Sequence, residues 1–168
     1  MVYNNIILIG FMGSGKTSVG KILARQLYKD FVDVDTVIEA EQGASVIEIF
    51  RTKGEEHFRK LEQKCIDTLT KNKGQIIATG GGLPIFSSIP EKSLIINIDA
   101  DFDVILERLA KKERAKRPLL ADESKARALY AERIDTYKDL AVFSVDANQK
   151  IPVFIHLIRD FILDQRVL

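Results

Sequence analysis

Residues 10–17 have the composition of a loop that binds phosphate groups. They read G-F-M-G-S-G-K-T and match every fixed position of the pattern G-x-x-x-x-G-K-[ST]. Glycine lets the backbone approach a ligand closely, so successive N–H groups at a helix N-terminus face an anion. Lys16 would place a positive charge beside the β- and γ-phosphates of a nucleotide, and the Thr17 hydroxyl would be a ligand of Mg²⁺. An apolar run before the loop and helical periodicity after it give the strand–loop–helix context that this site requires.

Two aspartates, Asp33 and Asp35, follow the apolar start of a second strand-like segment. On an extended segment, residues two apart share one face, so the two carboxylates would lie together. Paired carboxylates beside a phosphate site suit support of a metal ion and acceptance of a proton from a substrate hydroxyl. The alternative is a solvated strand end or a helix N-cap, for which Asp35 is well placed.

Residues 80–82 are three glycines directly after another apolar run. Glycine at a strand end allows a ligand to approach the backbone, which favours a binding role. A plain flexible loop is the alternative.

Three arginines stand in informative contexts. Arg59 lies three residues before Glu62, which would hold its direction on a helix, although the spacing alone favours an ordinary surface ion pair. Arg117 precedes Pro118 after a basic run, which is typical either of a mobile lid over phosphates or of a solvated loop. The pattern around Arg133 is that of a surface residue on an amphipathic helix.

Strands and helices alternate along the chain. Apolar runs predict five strands, at 5–9, 31–35, 75–79, 94–98 and 142–145, separated by helical stretches that include a capping box at Ser45 and Glu48. This alternation predicts a three-layer α/β/α fold with a five-stranded parallel sheet. Ligands bind at the carboxyl ends of such strands, so the phosphate loop, the aspartates and the glycines are expected to line one cleft.

Composition sets further bounds. The 168 residues predict one domain over 1–168, and the net charge of +1 indicates neither a nucleic acid nor a membrane partner. Cys65 is the single cysteine, which excludes an intramolecular disulfide and favours a cytoplasmic location. The N-terminus does not resemble a signal peptide, no stretch is long enough to span a membrane, and a monomer is expected. His57 and His156 lack metal-ligand spacing and are interpreted as structural.

Taken together, these segments resemble shikimate kinases, small P-loop kinases of the nucleoside-monophosphate-kinase-like fold. The matching segments are G-F-M-G-S-G-K-T at 10–17, D-V-D at 33–35, F-R-K-L-E at 58–62, G-G-G at 80–82, R-P-L-L at 117–120 and R-I-D-T-Y at 133–137. They lie in the family's order over nearly the whole chain. The resemblance implies transfer of the γ-phosphoryl group of ATP, with Mg²⁺, to the 3-hydroxyl of shikimate in the chorismate pathway to aromatic amino acids.

The resemblance also implies roles for individual residues. The nucleotide would be held by Gly13, Ser14, Gly15, Lys16, Thr17, Ser18, Arg108, Arg117 and Lys150. Magnesium would be supported by Thr17 and Asp33. Shikimate would be bound by Asp35, Arg59, Gly80, Gly81, Gly82 and Arg133. Lys16, Asp35 and Arg117 would be catalytic, with Asp35 as the base, and Glu62 would orient Arg59. The shikimate-binding region would span about 33–62 and a mobile lid about 111–123.

Two stretches depart from the family's usual pattern. Residues 109–116 replace a shorter, glycine-bearing start of the lid, so Arg108 is the first choice for stacking on adenine. Lys150 stands where an arginine is frequent, so a polar contact would replace a stacked one. Two alternatives stay open: a P-loop kinase of another small acceptor, such as gluconate or a nucleoside monophosphate, and a nucleotide-dependent binding module. A GTPase is disfavoured because N-K-G-Q at 72–75 lacks the aspartate of the guanine motif.

Overall fold

The computed structural model describes residues 2–109, 120 and 122–167. Within them, strands and helices occur in this order: β1 (Asn5–Ile9), α1 (Lys16–Leu27), β2 (Asp30–Asp33), α2 (Val34–Gln42), α3 (Val46–Lys53), α4 (Glu55–Leu69), β3 (Gln75–Ala78), α5 (Leu83–Phe86), β4 (Ser93–Asp99), α6 (Phe102–Arg108), α7 (Glu123–Leu140), β5 (Phe143–Asp146) and α8 (Ile151–Asp164). The predicted alternation is confirmed. Most of the segment predicted as a lid, including Arg117, lies outside the described residues.

The five strands form one parallel sheet in the order β2-β3-β1-β4-β5. Ile7 of the central strand pairs with Ile77 on one side and Ile95 on the other. All five residues of β1 are buried, as expected for a parallel strand whose two faces are both covered by helices. β1 pairs with β3 on one side and β4 on the other. From β1 the chain passes to the edge strand β2 on the β3 side, and after β3 it crosses to β4 on the opposite side. The carboxyl end of β1 is therefore the switch point at which such sheets bind ligands.

Helices on the two faces complete the predicted three layers. α1 contacts α8, whereas α4 contacts α2, α3 and α5, and α5 contacts α7. The core between them is built mainly from isoleucine and leucine of the strands. Cys65 lies in this core on α4, and burial raises the pKa of its thiol to about 11, which fits a structural residue. No helix among residues 2–109 and 122–167 has the length and apolar character to cross a bilayer.

Hydrogen bonds at helix N-termini confirm one prediction and correct another. The capping box is confirmed: Glu48 N donates to Ser45 Oγ at 3.2 Å and Ser45 N donates to Glu48 Oε2 at 2.9 Å. The prediction that Asp33 and Asp35 share one extended segment is wrong, because β2 ends at Asp33 and α2 begins at Val34. Asp33 Oδ1 accepts from Asp35 N at 3.1 Å, and this N-cap bond favours the helix over a longer strand.

Candidate active site

A cleft of about 1000 Å³ opens at the carboxyl ends of β1, β2 and β3. Side chains and backbone from four predicted features line it together. These are the phosphate loop, the pair Asp33 and Asp35, the glycines 80–82, and a set of charged residues comprising Arg59, Glu62, Arg108, Arg133 and Lys150. The prediction that the phosphate loop, the two aspartates and the three glycines line one cleft is confirmed.

The phosphate loop depends on glycine at two positions in particular. Gly10 has φ 140°, and a Cβ there would lie only 2.6 Å from the carbonyl oxygen of Ile98. Gly15 has φ 106° and is the N-cap of α1, where no side chain bonds the first N–H groups of the helix. These N–H groups are therefore left for a ligand, which is the arrangement of an anion site at a helix N-terminus.

Lys16 is folded back onto the same loop. Its Nζ donates to the carbonyl oxygens of Gly10 at 2.7 Å and Phe11 at 2.9 Å, and the residue is only 7% exposed. These bonds hold the ammonium group beside the loop. A phosphate bound there would find the charge already in position.

The two residues predicted to support magnesium lie against each other. Thr17 Oγ1 donates to Asp33 Oδ2 at 2.8 Å, while Asp33 Oδ1 caps α2. A hydroxyl and a carboxylate beside a phosphate loop are hard oxygen ligands of the type that Mg²⁺ accepts, directly or through water. The donor set therefore fits magnesium.

Asp35 lies in the first turn of α2 and faces the cleft. Its Oδ1 is buried and has no hydrogen-bond partner among the described residues. Burial, and to a smaller extent the neighbouring Asp33 charge, raise the pKa of this carboxyl to about 6, although Lys16 and Arg59 oppose the rise. A carboxylate with such a pKa is a stronger base than an exposed aspartate and is still mostly ionised at neutral pH.

Arg59 is held by two carboxylates on α4. Its Nη1 donates to Glu62 Oε2 at 2.5 Å, and its Nε and Nη2 donate to Glu55 Oε1 at 3.2 and 2.9 Å. The predicted pairing with Glu62 is therefore present. Glu62 is 1% exposed, and its burial raises the pKa of the carboxyl to about 7 although the Arg59 charge lowers it.

The glycines after β3 make room for these charged groups. A Cβ on Gly80 would lie 2.9 Å from Asp35 Oδ1 and 3.0 Å from Glu62 Oε1. A Cβ on Gly82 would lie 2.6 Å from Arg59 Nη2. Distances of 2.6 and 2.9 Å are shorter than real Cβ contacts, and 3.0 Å is tight, so the glycines make room for charged side chains in addition to leaving backbone for a ligand.

Arg133 differs from its pattern-based interpretation as a surface residue. It is 5% exposed, lines the cleft, and its Nε has no hydrogen-bond partner among the described residues. Ala126 and Tyr137 of α7 are buried with it, at spacings of seven and four residues. This face was detectable from sequence, since 126, 133 and 137 lie on one side of a helix, but the charge of Arg133 obscured it.

Three aromatic residues of the site were missed from the sequence. Phe50 and Phe58 line the cleft with their ring centroids 4.7 Å apart. Tyr137 donates its hydroxyl to the carbonyl oxygen of Gly81 at 2.6 Å, which fixes the glycine segment to α7. Their spacing is that of ordinary core residues. Phe58 and Tyr137 lie in segments that resemble the family, which was the one available signal, but no role was assigned to either.

The remaining predicted nucleotide contacts lie at the far end of the cleft. Arg108 ends α6 and donates Nη2 to the carbonyl oxygen of Gln149 at 2.5 Å, which joins α6 to the loop before α8. Lys150 is the N-cap of α8 and lines the cleft beside Arg108. Arg117 lies outside the described residues.

A phosphate loop at the switch point of a parallel sheet, with a hydroxyl–carboxylate pair for a metal and a buried carboxylate beside it, defines the class of P-loop kinases. The family model described as shikimate kinase matches residues 12–162. The shikimate kinase of Helicobacter hepaticus is 43% identical over 145 residues, which cover 86% of this chain and 87% of the relative. That of Sulfurihydrogenibium sp. is 39% identical over 153 residues, covering 88% and 90%. The chain belongs to the shikimate kinase family.

A solved structure agrees with this assignment. Shikimate kinase from Acinetobacter baumannii, in complex with shikimate, superimposes with a TM-score of 0.86 at 32% identity. The superposition covers 96% of this chain and 93% of that one. The predicted resemblance and the P-loop kinase fold are confirmed.

Proposed function

We propose that this protein catalyses the ATP-dependent phosphorylation of shikimate at its 3-hydroxyl, giving shikimate 3-phosphate and ADP. This reaction serves the chorismate pathway of aromatic amino acid biosynthesis. One observation carries the proposal: a phosphate loop, a buried carboxylate with an unsatisfied oxygen and two arginines line a single cleft. Membership of the shikimate kinase family and the shikimate bound by the A. baumannii relative support it.

The arginines would bind the carboxylate of shikimate. Arg59 and Arg133 both line the cleft, and planar guanidinium groups recognise a carboxylate through paired hydrogen bonds. Arg133 is buried with its Nε unsatisfied among the described residues, so a carboxylate would supply a partner that they do not. Gly80, Gly81 and Gly82 would contact the ring hydroxyls through backbone.

The phosphate loop would bind ATP. Residues 13–18 would surround the phosphates, and the Lys16 ammonium group would exchange carbonyl partners for phosphate oxygens. Thr17 and Asp33 would hold Mg²⁺, which when bound neutralises charge on the phosphates. Arg108 and Lys150 would contact the adenine end, and Arg117 would approach the phosphates from a lid at about 111–123.

Asp35 would receive the proton of the attacking hydroxyl. Its unsatisfied Oδ1 is the acceptor, and its raised pKa makes proton transfer more favourable than to an exposed carboxylate. The chain otherwise acts by positioning and by neutralising charge, which dominate catalysis of phosphoryl transfer. The proposal places the enzyme in the cytoplasm, and it treats residues 1–168 as one domain.

Coupled ADP release with Mg-ATP, measured with shikimate, gluconate, AMP or no acceptor, tests the proposal. Turnover that depends on shikimate is the expected result. Turnover with gluconate or AMP would keep the phosphate site and refute the assignment of the arginines. Equal slow release of ADP with every acceptor would favour a nucleotide-binding module instead.

Two arginines of the same helix provide a matched comparison. Arg133→Ala should raise KM for shikimate by roughly tenfold or more, because a charged hydrogen bond contributes about 1.5–3 kcal/mol. KM for ATP should stay within about twofold. Arg127→Ala removes a half-exposed arginine that pairs with Asp103 away from the cleft, and it should change neither constant. An effect of Arg133→Ala on ATP alone would contradict its role.

A further inference from the structure

We infer that Phe86 is a positioning residue whose ring supports both arginines that bind the substrate carboxylate. This inference rests on the proposed function. Phe86 is the last residue of α5 and is 52% exposed. Phe86 is not among the described residues that line the cleft, whereas both arginines are.

Both guanidinium groups lie over this one ring. Arg59 Cζ is 4.4 Å from the ring centroid of Phe86, and Arg133 Cζ is 5.6 Å from it. Both distances fall within the range in which a cation is attracted to an aromatic face. The arginines come from different helices, α4 and α7, and Phe86 is a contact that the two share.

The ring completes the restraint of Arg59. Glu55 and Glu62 bond its guanidinium nitrogens within the plane, but bonds in the plane leave the tilt of the group less defined. Phe86 contributes an apolar face at the shortest cation–aromatic distance of the site; Phe50 and Phe58 are both 5.6 Å away. The orientation of the Arg59 guanidinium group is thereby fixed before a carboxylate binds.

The support matters differently for Arg133. No ion pair with a carboxylate is found for it among the described residues, and its Nε is unsatisfied. A second guanidinium group nearby is electrostatically unfavourable, and the negative face of an aromatic ring offsets part of that repulsion. Phe86 and the Glu62 carboxylate, which attracts both guanidinium groups, therefore together offset the repulsion between the two cations in the absence of a ligand.

The segment that carries Phe86 is tied to the helix that carries Arg59. Ser88 N donates to Gln63 Oε1 at 2.8 Å, and Gln63 Nε2 donates to Ser88 O at 3.2 Å. Gln63 is one helical turn after Arg59, so these two hydrogen bonds fix the position of the Phe86 segment relative to Arg59. Leu83 and Pro84 bury the start of α5 and fix its other end. The ring is exposed but not loosely held.

Steady-state kinetics of Phe86→Ala, Phe86→Leu and Phe86→Trp test the inference. Loss of the ring should raise KM for shikimate roughly five- to thirtyfold, since cation–aromatic contacts contribute about 1–2 kcal/mol when partly desolvated. KM for ATP and kcat should stay within about twofold. Phe86→Leu keeps apolar bulk without an aromatic face and should resemble Phe86→Ala, whereas Phe86→Trp should restore wild-type KM. Leu157→Ala, at an equally exposed apolar residue of α8, is the control.

Two results would overturn the inference. Wild-type KM in Phe86→Leu would show that bulk alone suffices, and parallel rises in KM for shikimate and ATP would indicate general loosening of the cleft. Binding of shikimate and its methyl ester, measured by calorimetry, adds a readout of charge: Phe86→Ala should weaken binding of the acid and spare the ester.

Failure of the proposed function is distinguishable from failure of this inference. Absence of shikimate-dependent turnover in the wild-type protein would refute the proposed function alone. A crystal structure of Phe86→Leu gives the positions of both guanidinium groups, and this test does not depend on enzymatic activity. Displacement of Arg59 and Arg133 would support the positioning role, and unchanged positions would refute it.

Discussion

Replacing Asp35 by asparagine should make the folded protein more stable and remove the proposed base. The carboxyl has a pKa of about 6 in the folded protein against an ordinary value of 3.8, chiefly because burial disfavours its charged form. A difference of about two pH units corresponds to roughly 3 kcal/mol of unfavourable free energy when the group is ionised. Asparagine carries no charge and is free of this cost.

The free energy of unfolding of the wild-type protein should fall relative to that of Asp35→Asn as the pH rises. The folded protein binds this proton more tightly than the unfolded chain, so the stabilising contribution is present below about pH 4 and is lost as the pH rises through about 6. The wild-type protein should therefore lose about 1.4 kcal/mol relative to Asp35→Asn between about pH 5 and about pH 8. Removal of the Asp35 charge also favours ionised Glu62, which acts in the same direction.

Urea denaturation of both proteins at the two pH values measures this difference. Changes in hydrogen bonding by the amide are independent of pH, so the change in the gap between the two proteins isolates the carboxylate. Asp139→Asn, at an exposed aspartate of α7, is the control and should show no such gap. If the difference in free energy of unfolding between the two proteins stays constant or narrows towards high pH, the reasoning that burial dominates at Asp35 is refuted. Shikimate-dependent kcat should fall steeply in the same variant that gains stability.

Four further predictions follow from the site. The kcat/KM for shikimate should rise with pH, with an apparent pKa of about 6, as Asp35 ionises. A profile that is flat through that pH would contradict the role of Asp35 as base. Lys16→Met should lower kcat by roughly 10²–10³-fold with an unchanged circular dichroism spectrum, and near-normal turnover would refute the phosphate site. Tyr137→Phe should lower the melting temperature by about 2–4 °C through loss of its bond to Gly81, as calorimetry would detect. Gly80→Ala should raise KM for shikimate while sparing KM for ATP, because its methyl group would displace two carboxylates. Kinetics with each substrate varied in turn measure both constants, and an unchanged KM for shikimate would contradict the prediction.

The sheet and the phosphate loop were predictable because they depend on local pattern. Buried parallel strands are continuous apolar runs, and β1 and β4 are of this kind. The loop motif fixes its own backbone through glycine and opens a helix, so strand, loop and helix are encoded within residues 5–27. The rule that ligands bind at strand carboxyl ends then placed the aspartates and glycines in one cleft without tertiary information.

The charged half of the site depended on contacts that cross the chain. Whether Arg133 faces solvent or the cleft is decided by the packing of α7, and a charged residue on a weakly patterned helix gives no local indication of its burial. The cap of α2 was equally ambiguous. The sequence offered Asp35 as the N-cap, whereas Asp33 is the cap and accepts from Asp35 N. Phe86 had no periodicity around it, because α5 is a single turn.

The burial that made these residues hard to predict is also what suits them to a ligand. Asp35 Oδ1, Glu62 Oε1 and Arg133 Nε are buried in or beside the cleft without hydrogen-bond partners among the described residues. An unsatisfied buried polar group costs about 1–3 kcal/mol, so the site is destabilising in the absence of ligand. A hydroxylated acid offers donors to the carboxylates and an acceptor to the arginine. Binding would therefore remove costs that folding alone leaves in place, and because the groups are already held in position, little reorganisation would accompany phosphoryl transfer.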